Sequence, residues 1–392
     1  MVWLNEVMNF VATIYTHLFQ LLAVPTIVLA VITTFATFGR NGTGRIFGRT
    51  LIYTLLTTFA AAAVGAALYV IIDPGNLPAE ALMKDEADAN SCAPSVASDL
   101  RSSASLFTLH SSLSYADHLL SIIPNNIVKP FLEGNVLSLV LLAFAIGIGL
   151  SKLPESENKA VVVKGLLGLQ ALLFLLIRWL IQALPLGIVA FSAQLSAQVS
   201  AGVVAESIGK YVLVVFGGNV IQFFVVLPLF LLAKGLNPIH VLGKMMPAVM
   251  MALFTKSSAA TLPVTMETAE NRLGVKKNIT RFVLPVCTTI NMNGCAAFIL
   301  VTSLFVMQQG GTELSLATIL LWLLISIISA VGNAGVPMGC FFLTLSLMSG
   351  IGAPIAVMGI ILPVYTIIDM VETAENVWSD SCVAAAVNQD FR

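Results

Sequence analysis

Asp369, Glu372, Thr373, Asn376 and Asp380 sit inside an otherwise apolar run from about Pro354 to Val387. On a helix at about 100° per residue they fall within about 60° of one line. Trp378 points the opposite way, and Glu375 lies well off the stripe. An ionised, unpaired acid at the centre of a membrane helix costs about 2.5–3.5 kcal/mol on insertion scales. A polar stripe could serve only to glue helices together, and Ser or Thr would suffice for that. Three acids and an asparagine at this spacing point instead to a binding site.

Lys256 is the cation that the sequence offers to these acids. If all are ionised, two negative charges are left for incoming cations. Asn291, Asn293, Asn333 and Asn376 add neutral oxygens of the hard kind that suits alkali ions. Backbone N–H groups at hairpin tips and half-helix N-termini could hold a carboxylate. Acids for an ammonium, N–H groups for a carboxylate and oxygens for a metal ion together describe an amino acid taken up with sodium. Protons in place of sodium stay open.

Enzyme readings fare worse. Ser257 or Ser258 beside Lys256 could suggest a Ser–Lys dyad, but neighbouring residues on one backbone rarely face each other, and no oxyanion element is evident. Asp369 and Asp380 lie three turns apart, roughly 16 Å, too far to share a proton. A passive channel is the stronger rival, although it would show a repeated pore-lining pattern.

The elements that must position these residues are membrane helices. Of 392 residues, 58% are hydrophobic and 10% charged, against about 25% charged in a soluble domain. The mean hydropathy is +0.94. A net charge of −1 suggests no nucleic-acid surface. Five cysteines show no metal-finger spacing, and the four in or next to apolar segments read as small packing residues. The N-terminus lacks the basic region of a cleavable signal peptide.

Apolar segments are expected at about 8–38, 46–72, 136–150, 166–184 and 208–236, the first bent at Pro25 and the fourth at Pro185. A polar stretch from Asp73 to about Asp117 reads as an exposed loop. Basic residues cluster at 40–49, 152–164, 234–244 and 272–281, which places those links in the cytoplasm and the N-terminus outside. The C-terminal half then repeats a pattern. A segment at 241–273 is interrupted by Thr255-Lys-Ser-Ser-Ala-Ala-Thr-Leu-Pro263, and each flank is too short to span about 30 Å. A helix at 281–307 is broken at Thr289-Ile-Asn-Met-Asn-Gly294. A second interrupted segment at 316–347 carries Ala330-Val-Gly-Asn-Ala-Gly-Val-Pro-Met-Gly339, and the polar helix 354–388 follows. The expected fold is therefore an all-α polytopic membrane protein, an inverted-repeat transporter with two re-entrant helical hairpins and two broken or polar transmembrane helices.

At these residues the chain resembles the dicarboxylate/amino acid:cation symporter family, the fold of glutamate and neutral amino acid transporters. The resemblance rests on Thr255-Lys-Ser-Ser-Ala-Ala-Thr-Leu-Pro-Val, Asn291-Met-Asn-Gly, Gly335-Val-Pro and Asp369…Thr373…Asn376…Asp380, and covers essentially the whole chain. The pattern Asp-x-x-Glu-Thr-Ala-x-Asn-x-x-x-Asp is closest to the bacterial sodium/serine–threonine symporters. It implies a homotrimer in the plasma (cell inner) membrane, working as an elevator. Residues 1–240 would be mainly scaffold, with 46–72 and 208–236 contributing to a transport core at 241–392.

Carried over by position, Asp369 and the Val336 carbonyl would hold the substrate ammonium. Asn376 and the backbone around Ser257 and Ser258 would hold its carboxylate, and Thr373 and Glu372 would line the side-chain pocket. One sodium site would use Asp380 with carbonyls of Cys287, Asn291 and Asn376. A second would use backbone oxygens of Thr289, Met292, Ala330, Val331 and Asn333. Three departures stand out. The family's first transmembrane helix has no counterpart, which implies a late start or a trimmed scaffold. Glu372 stands where acidic-substrate members carry arginine, and Asn293 stands where the Asn-Met-Asp-Gly motif has aspartate. The last two argue against glutamate transport and against a third sodium site, with a dicarboxylate substrate as the alternative.

Overall fold

The computed structural model describes residues 2–38, 44–75, 123, 125–133, 136–183, 189, 203–333, 335, 338–354 and 356–391. The loop expected at 73–117 (beyond residue 75), the bend at Pro185 and the tip residue Val336 lie outside them. The described residues form helices, and six are long and apolar enough to cross a membrane.

Helices α1 (Val2–Phe38) and α2 (Gly44–Ile72) open the chain, α1 continuing through Pro25. A short α3 (Lys129–Glu133) leads into α4 (Val136–Lys152) and α5 (Glu157–Gln182). Helix α1 packs on α4 and α5, with Val28, Val31, Ile32, Leu139 and Ala143 as a small core. Next, α6 (Val203–Ile221) runs through a wider π-turn at Gln222–Val226 into α7 (Leu227–Ala233). Pro228 follows that turn. A proline has no N–H for the carbonyl one turn back, and a π-turn absorbs the mismatch.

Helix α8 (Pro238–Thr255) starts at Asn237, whose side chain accepts from the N–H groups of Ile239 and His240. This cap lengthens the first arm beyond the expected start at 241, so the expectation that each flank is too short needs correcting. At 18 residues the arm rises about 27 Å, near the hydrocarbon thickness. The chain still reverses at Lys256, a left-handed residue with φ 53° and ψ 27°, and α9 (Ser258–Thr268) packs back on α8.

The broken helix appears as α10 (Lys277–Ile290) and α11 (Asn293–Gln309), separated by Asn291 and Met292 in non-helical conformations. Almost every residue of α11 is buried. A helix apolar all round belongs at the centre of a bundle, and α2, α6, α12, α13 and α14 surround it. Helix α12 (Leu316–Ala330) closes in a 3₁₀ turn at Val331–Asn333, α13 (Gly339–Gly350) follows the second tip, and α14 (Ala356–Asp390) completes the chain.

Two hydrophobic clusters divide the interior along α14. One gathers Tyr211, Phe298, Trp322, Phe341 and Tyr365, and the other gathers Leu227, Met245, Val283, Trp378 and Val387. The polar residues of α10, α11 and α14 lie in the layer between them. At the far end, Tyr53 donates to Asp390 and accepts from Lys234. The Lys234 ammonium lies 3.2 Å from Asp390 and 4.3 Å from the Tyr53 ring centre. These contacts tie α2, α7 and the end of α14 together.

Candidate functional site

The acidic stripe faces inward along α14. Asp369, Glu372, Thr373, Asn376 and Asp380 are all buried, at 5% exposure or less. A small cleft opens beside them, lined by Lys256, Ser258, Asn333, Gly335, Glu372 and Asn376, with Met292, Cys340, Asp369 and Thr373 also on its wall. The turns at Lys256 and Gly335, the break at Asn291–Met292 and α14 thus meet at one place.

Asp369 holds the upper part of the stripe. Its Oδ2 accepts from the Met338 N–H at 3.2 Å, and its Oδ1 from the Tyr365 hydroxyl at 3.4 Å. The same hydroxyl lies 3.3 Å from Glu372 Oε2. One phenol proton therefore serves two acids, and Glu372 Oε1 has no hydrogen-bond partner among the described residues. Lys256 is close enough for its charge to act on Asp369. Thr373 donates to the Asp369 carbonyl at 2.7 Å, which keeps its hydroxyl on the stripe side.

The tips meet each other. Ser257 caps α9 by accepting from the Ala260 N–H at 3.2 Å, and its hydroxyl donates to the Gly335 carbonyl at 2.9 Å. The Ala259 N–H reaches the same carbonyl at 3.4 Å. Gly335 has φ +66°, and a side-chain carbon there would sit 2.9 Å from the Thr288 carbonyl, so the second tip needs glycine at this contact.

Lower on the stripe, the first expected ion set comes together in part. Asn291 Nδ2 donates to Asp380 Oδ1 at 2.9 Å, and the Cys287 carbonyl accepts from the Asn291 N–H at 2.7 Å. Asn376, one turn before Asp380, accepts through Oδ1 from the Gly294 N–H at 3.0 Å. Its amide oxygen is thus engaged with α11 as well as facing the cleft. Of the second set, Ala330, Val331 and Asn333 lie at the end of α12 and in the 3₁₀ turn that follows, and Asn333 Nδ2 approaches Met292 Sδ at 3.8 Å and Cys340 Sγ at 3.3 Å. Thr289 lies three residues before Met292, and its hydroxyl donates to the Val286 carbonyl at 2.8 Å.

Ser379, Tyr365, Glu375, Asn219 and Gln222 of this layer were missed from sequence. Ser379 accepts from Asn291 Nδ2 at 2.9 Å and Asn293 Nδ2 at 2.7 Å. Thr57 and Thr58 on α2 donate to Asn291 Oδ1 at 3.1 Å and Asn293 Oδ1 at 2.9 Å. Tyr365 stands four residues before Asp369 and Ser379 seven after Glu372, so helical spacing alone could have found both. Glu375, Asn219 and Gln222 carried no such signal. They are buried at 1%, 2% and 1% exposure.

Known proteins place this architecture. The chain is 29% identical over 394 residues to the neutral amino acid transporter B(0) of Oryctolagus cuniculus, covering 93% of this chain and 70% of the rabbit protein. It is 29% identical over 396 residues to the human neutral amino acid transporter A, covering 95% and 74%. A putative sodium-dependent excitatory amino acid transporter of Caenorhabditis elegans is 28% identical over 416 residues, covering 97% and 82%. These relatives are transporters, not enzymes. With the sodium:dicarboxylate symporter family matching residues 2–390, the chain belongs to that family.

Proposed function

We propose that this protein is a sodium-coupled symporter of small neutral amino acids of the serine, threonine and alanine kind. The observation that carries the reading is the pairing of Asp369 and Glu372 around a single hydroxyl donor beside a small cleft. Two buried acids that share one hydroxyl donor favour a cationic group at Asp369, and a substrate ammonium supplies it. Asp369 and the carbonyl of Val336 hold the ammonium, Asn376 and the Ser257–Ser258 backbone the carboxylate, while Thr373 and Glu372 face the substrate side chain.

Sodium is the coupled ion. Asp380 with the carbonyls of Cys287, Asn291 and Asn376 forms one site, and the backbone oxygens of Thr289, Met292, Ala330, Val331 and Asn333 form the other. The two tips work as re-entrant hairpins of an inverted repeat, within a transport core of residues 241–392 aided by 46–72 and 208–236. The rest of 1–240 forms the scaffold of a homotrimer in the plasma membrane, against which the core slides as an elevator. The matching relatives described as neutral amino acid transporters support this reading.

A second reading, symport of dicarboxylates or acidic amino acids, is favoured by one observation. Lys256 lines the cleft and could pair with a second substrate carboxylate. One assay separates the two. Purified protein in proteoliposomes with an inward sodium gradient should accumulate labelled serine uphill, and aspartate should compete poorly. Equal accumulation of aspartate favours the second reading. Uptake driven by a proton gradient without sodium overturns the ion assignment, and uptake that never exceeds equilibrium makes the protein a passive channel.

A further inference from the structure

Glu375 is 1% exposed, and neither of its carboxylate oxygens has a hydrogen-bond partner among the described residues. The same is true of Asn219 Oδ1 and Gln222 Oε1. Asn219 and Gln222 lie three residues apart on α6 and its π-turn, so they share a face.

That face runs alongside α14 in parallel register. A side-chain carbon on Gly294 would sit 3.0 Å from Glu372 Cα and 3.1 Å from Asn219 Oδ1, which sets Asn219 level with Glu372. The Trp378 indole N–H donates to the Phe223 carbonyl at 3.2 Å, and Lys234 meets Asp390 at 3.2 Å. Glu375 stands midway between Glu372 and Trp378. It therefore falls at the level between Asn219 and Phe223, where Gln222 lies. Glu372 is near enough that the charge of Glu375 acts on it.

An ionised carboxylate cannot stay buried among acceptors alone. A proton on Glu375 would add one donor and leave most of these oxygens unmet. A cation meets several at once. Among the described residues no three His, Cys, Asp or Glu side chains are grouped to hold a metal, so one acid with neutral amide oxygens suits a singly charged, hard ion. Nearby, Asn293 brings only an amide to its contact with Ser379, one turn beyond Glu375.

We infer that Glu375, with the side-chain oxygens of Asn219 and Gln222, forms a further buried site for a monovalent alkali cation, separate from the two sets assigned above. The inference rests on the sodium-coupled reading and is tested apart from it by equilibrium binding of radioactive sodium to the purified protein without substrate.

Glu375→Gln should bind one sodium ion fewer per chain than the wild type, and Asp380→Asn should lose a different one, so that the double variant loses two. Asn219→Ala, which keeps the acid, should weaken one class of sodium ions at least tenfold. It also serves if Glu375→Gln fails to fold. Wild-type protein that binds sodium while Glu375→Gln and Asn219→Ala bind the same number with the same affinity overturns the inference alone. So does a Glu375→Gln variant that keeps the sodium count and loses only a substrate-induced proton movement. Wild-type protein that binds no sodium overturns the coupling itself.

Discussion

The Ser257 hydroxyl donates to the Gly335 carbonyl at 2.9 Å, joining two turns that lie 78 residues apart in the chain. The same oxygen caps α9, so one side chain shapes the first tip and holds the second. The contacts between the tips among the described residues, from the Ser257 hydroxyl and the Ala259 N–H to one carbonyl, can part without unfolding either helix pair. That makes the contact a suitable latch over the cleft.

Removing the latch should therefore alter transport more than folding. Ser257→Ala loses a helix cap worth about 1 kcal/mol and a hydrogen bond worth about 1 kcal/mol. The expected result is a five- to thirtyfold rise in the substrate concentration for half-maximal uptake, with a fall of a few degrees in melting temperature. Gly335→Ala should be harsher, because the added carbon meets the Thr288 carbonyl at 2.9 Å on a left-handed backbone. Its uptake should fall at least tenfold at saturating sodium. Wild-type kinetics in both variants would deny the contact any role in transport.

How far the sequence carried can be judged from particular residues. The break at Asn291–Met292 and the reversal at Lys256 were legible because asparagine, glycine and proline mark departures from helix within apolar runs. The stripe on α14 was legible because helical spacing is a local property. Glu375 was not, since the residues proposed to join it, Asn219 and Gln222, stand over 150 residues away and no period links them. The grip of Tyr53 and Lys234 on Asp390 joins three segments and is invisible for the same reason. The start of α8 was misjudged because Asn237 is a cap, which extends the helix past its apolar pattern.

Asp369→Asn should abolish uptake while leaving sodium binding largely intact. The Met338 N–H that Asp369 accepts can still be met by an amide oxygen, so the second tip keeps its anchor. The charge that would face an ammonium is lost, and a hydrogen bond to a buried charged group is worth about 1.5–3 kcal/mol. Substrate affinity should drop by roughly ten- to a hundredfold. Measuring sodium binding and serine binding separately on purified protein checks this, and unchanged serine affinity would assign Asp369 a packing role.

Asp380→Asn should raise the sodium concentration for half-maximal uptake at least tenfold, equivalent to about 1.4 kcal/mol. Asp380 lies at the end of a chain of contacts that runs from Thr57 through Asn291. Asn291 offers it an amide N–H, not a cation, and no ion pair neutralises it among the described residues. A metal ion is the natural counter-charge for such an acid. An unchanged sodium dependence in this variant would make Asp380 a structural acceptor for Asn291 and nothing more.

Selectivity should turn on Glu372. Asp369 and Glu372 reach for one Tyr365 hydroxyl, and Gly294 lets α11 press against the Glu372 backbone, where a side-chain carbon would sit 3.0 Å from its Cα. The acid is thus held in place by packing. The ion pair with Lys256 that the sequence suggested is not formed among the described residues. A second substrate carboxylate entering here would meet a negative charge at about 4 Å, a repulsion of about 4 kcal/mol at an effective dielectric of 20. That is enough to disfavour aspartate by several hundredfold, whereas a small hydroxyl could donate to the unpartnered Glu372 Oε1. Glu372→Gln removes the repulsion and leaves Lys256 to receive the extra carboxylate. Competition against labelled serine uptake should then show aspartate gaining at least tenfold in potency and serine losing little. If the wild type already takes aspartate as readily as serine, Glu372 does not face the substrate side chain, and Lys256 governs the pocket instead.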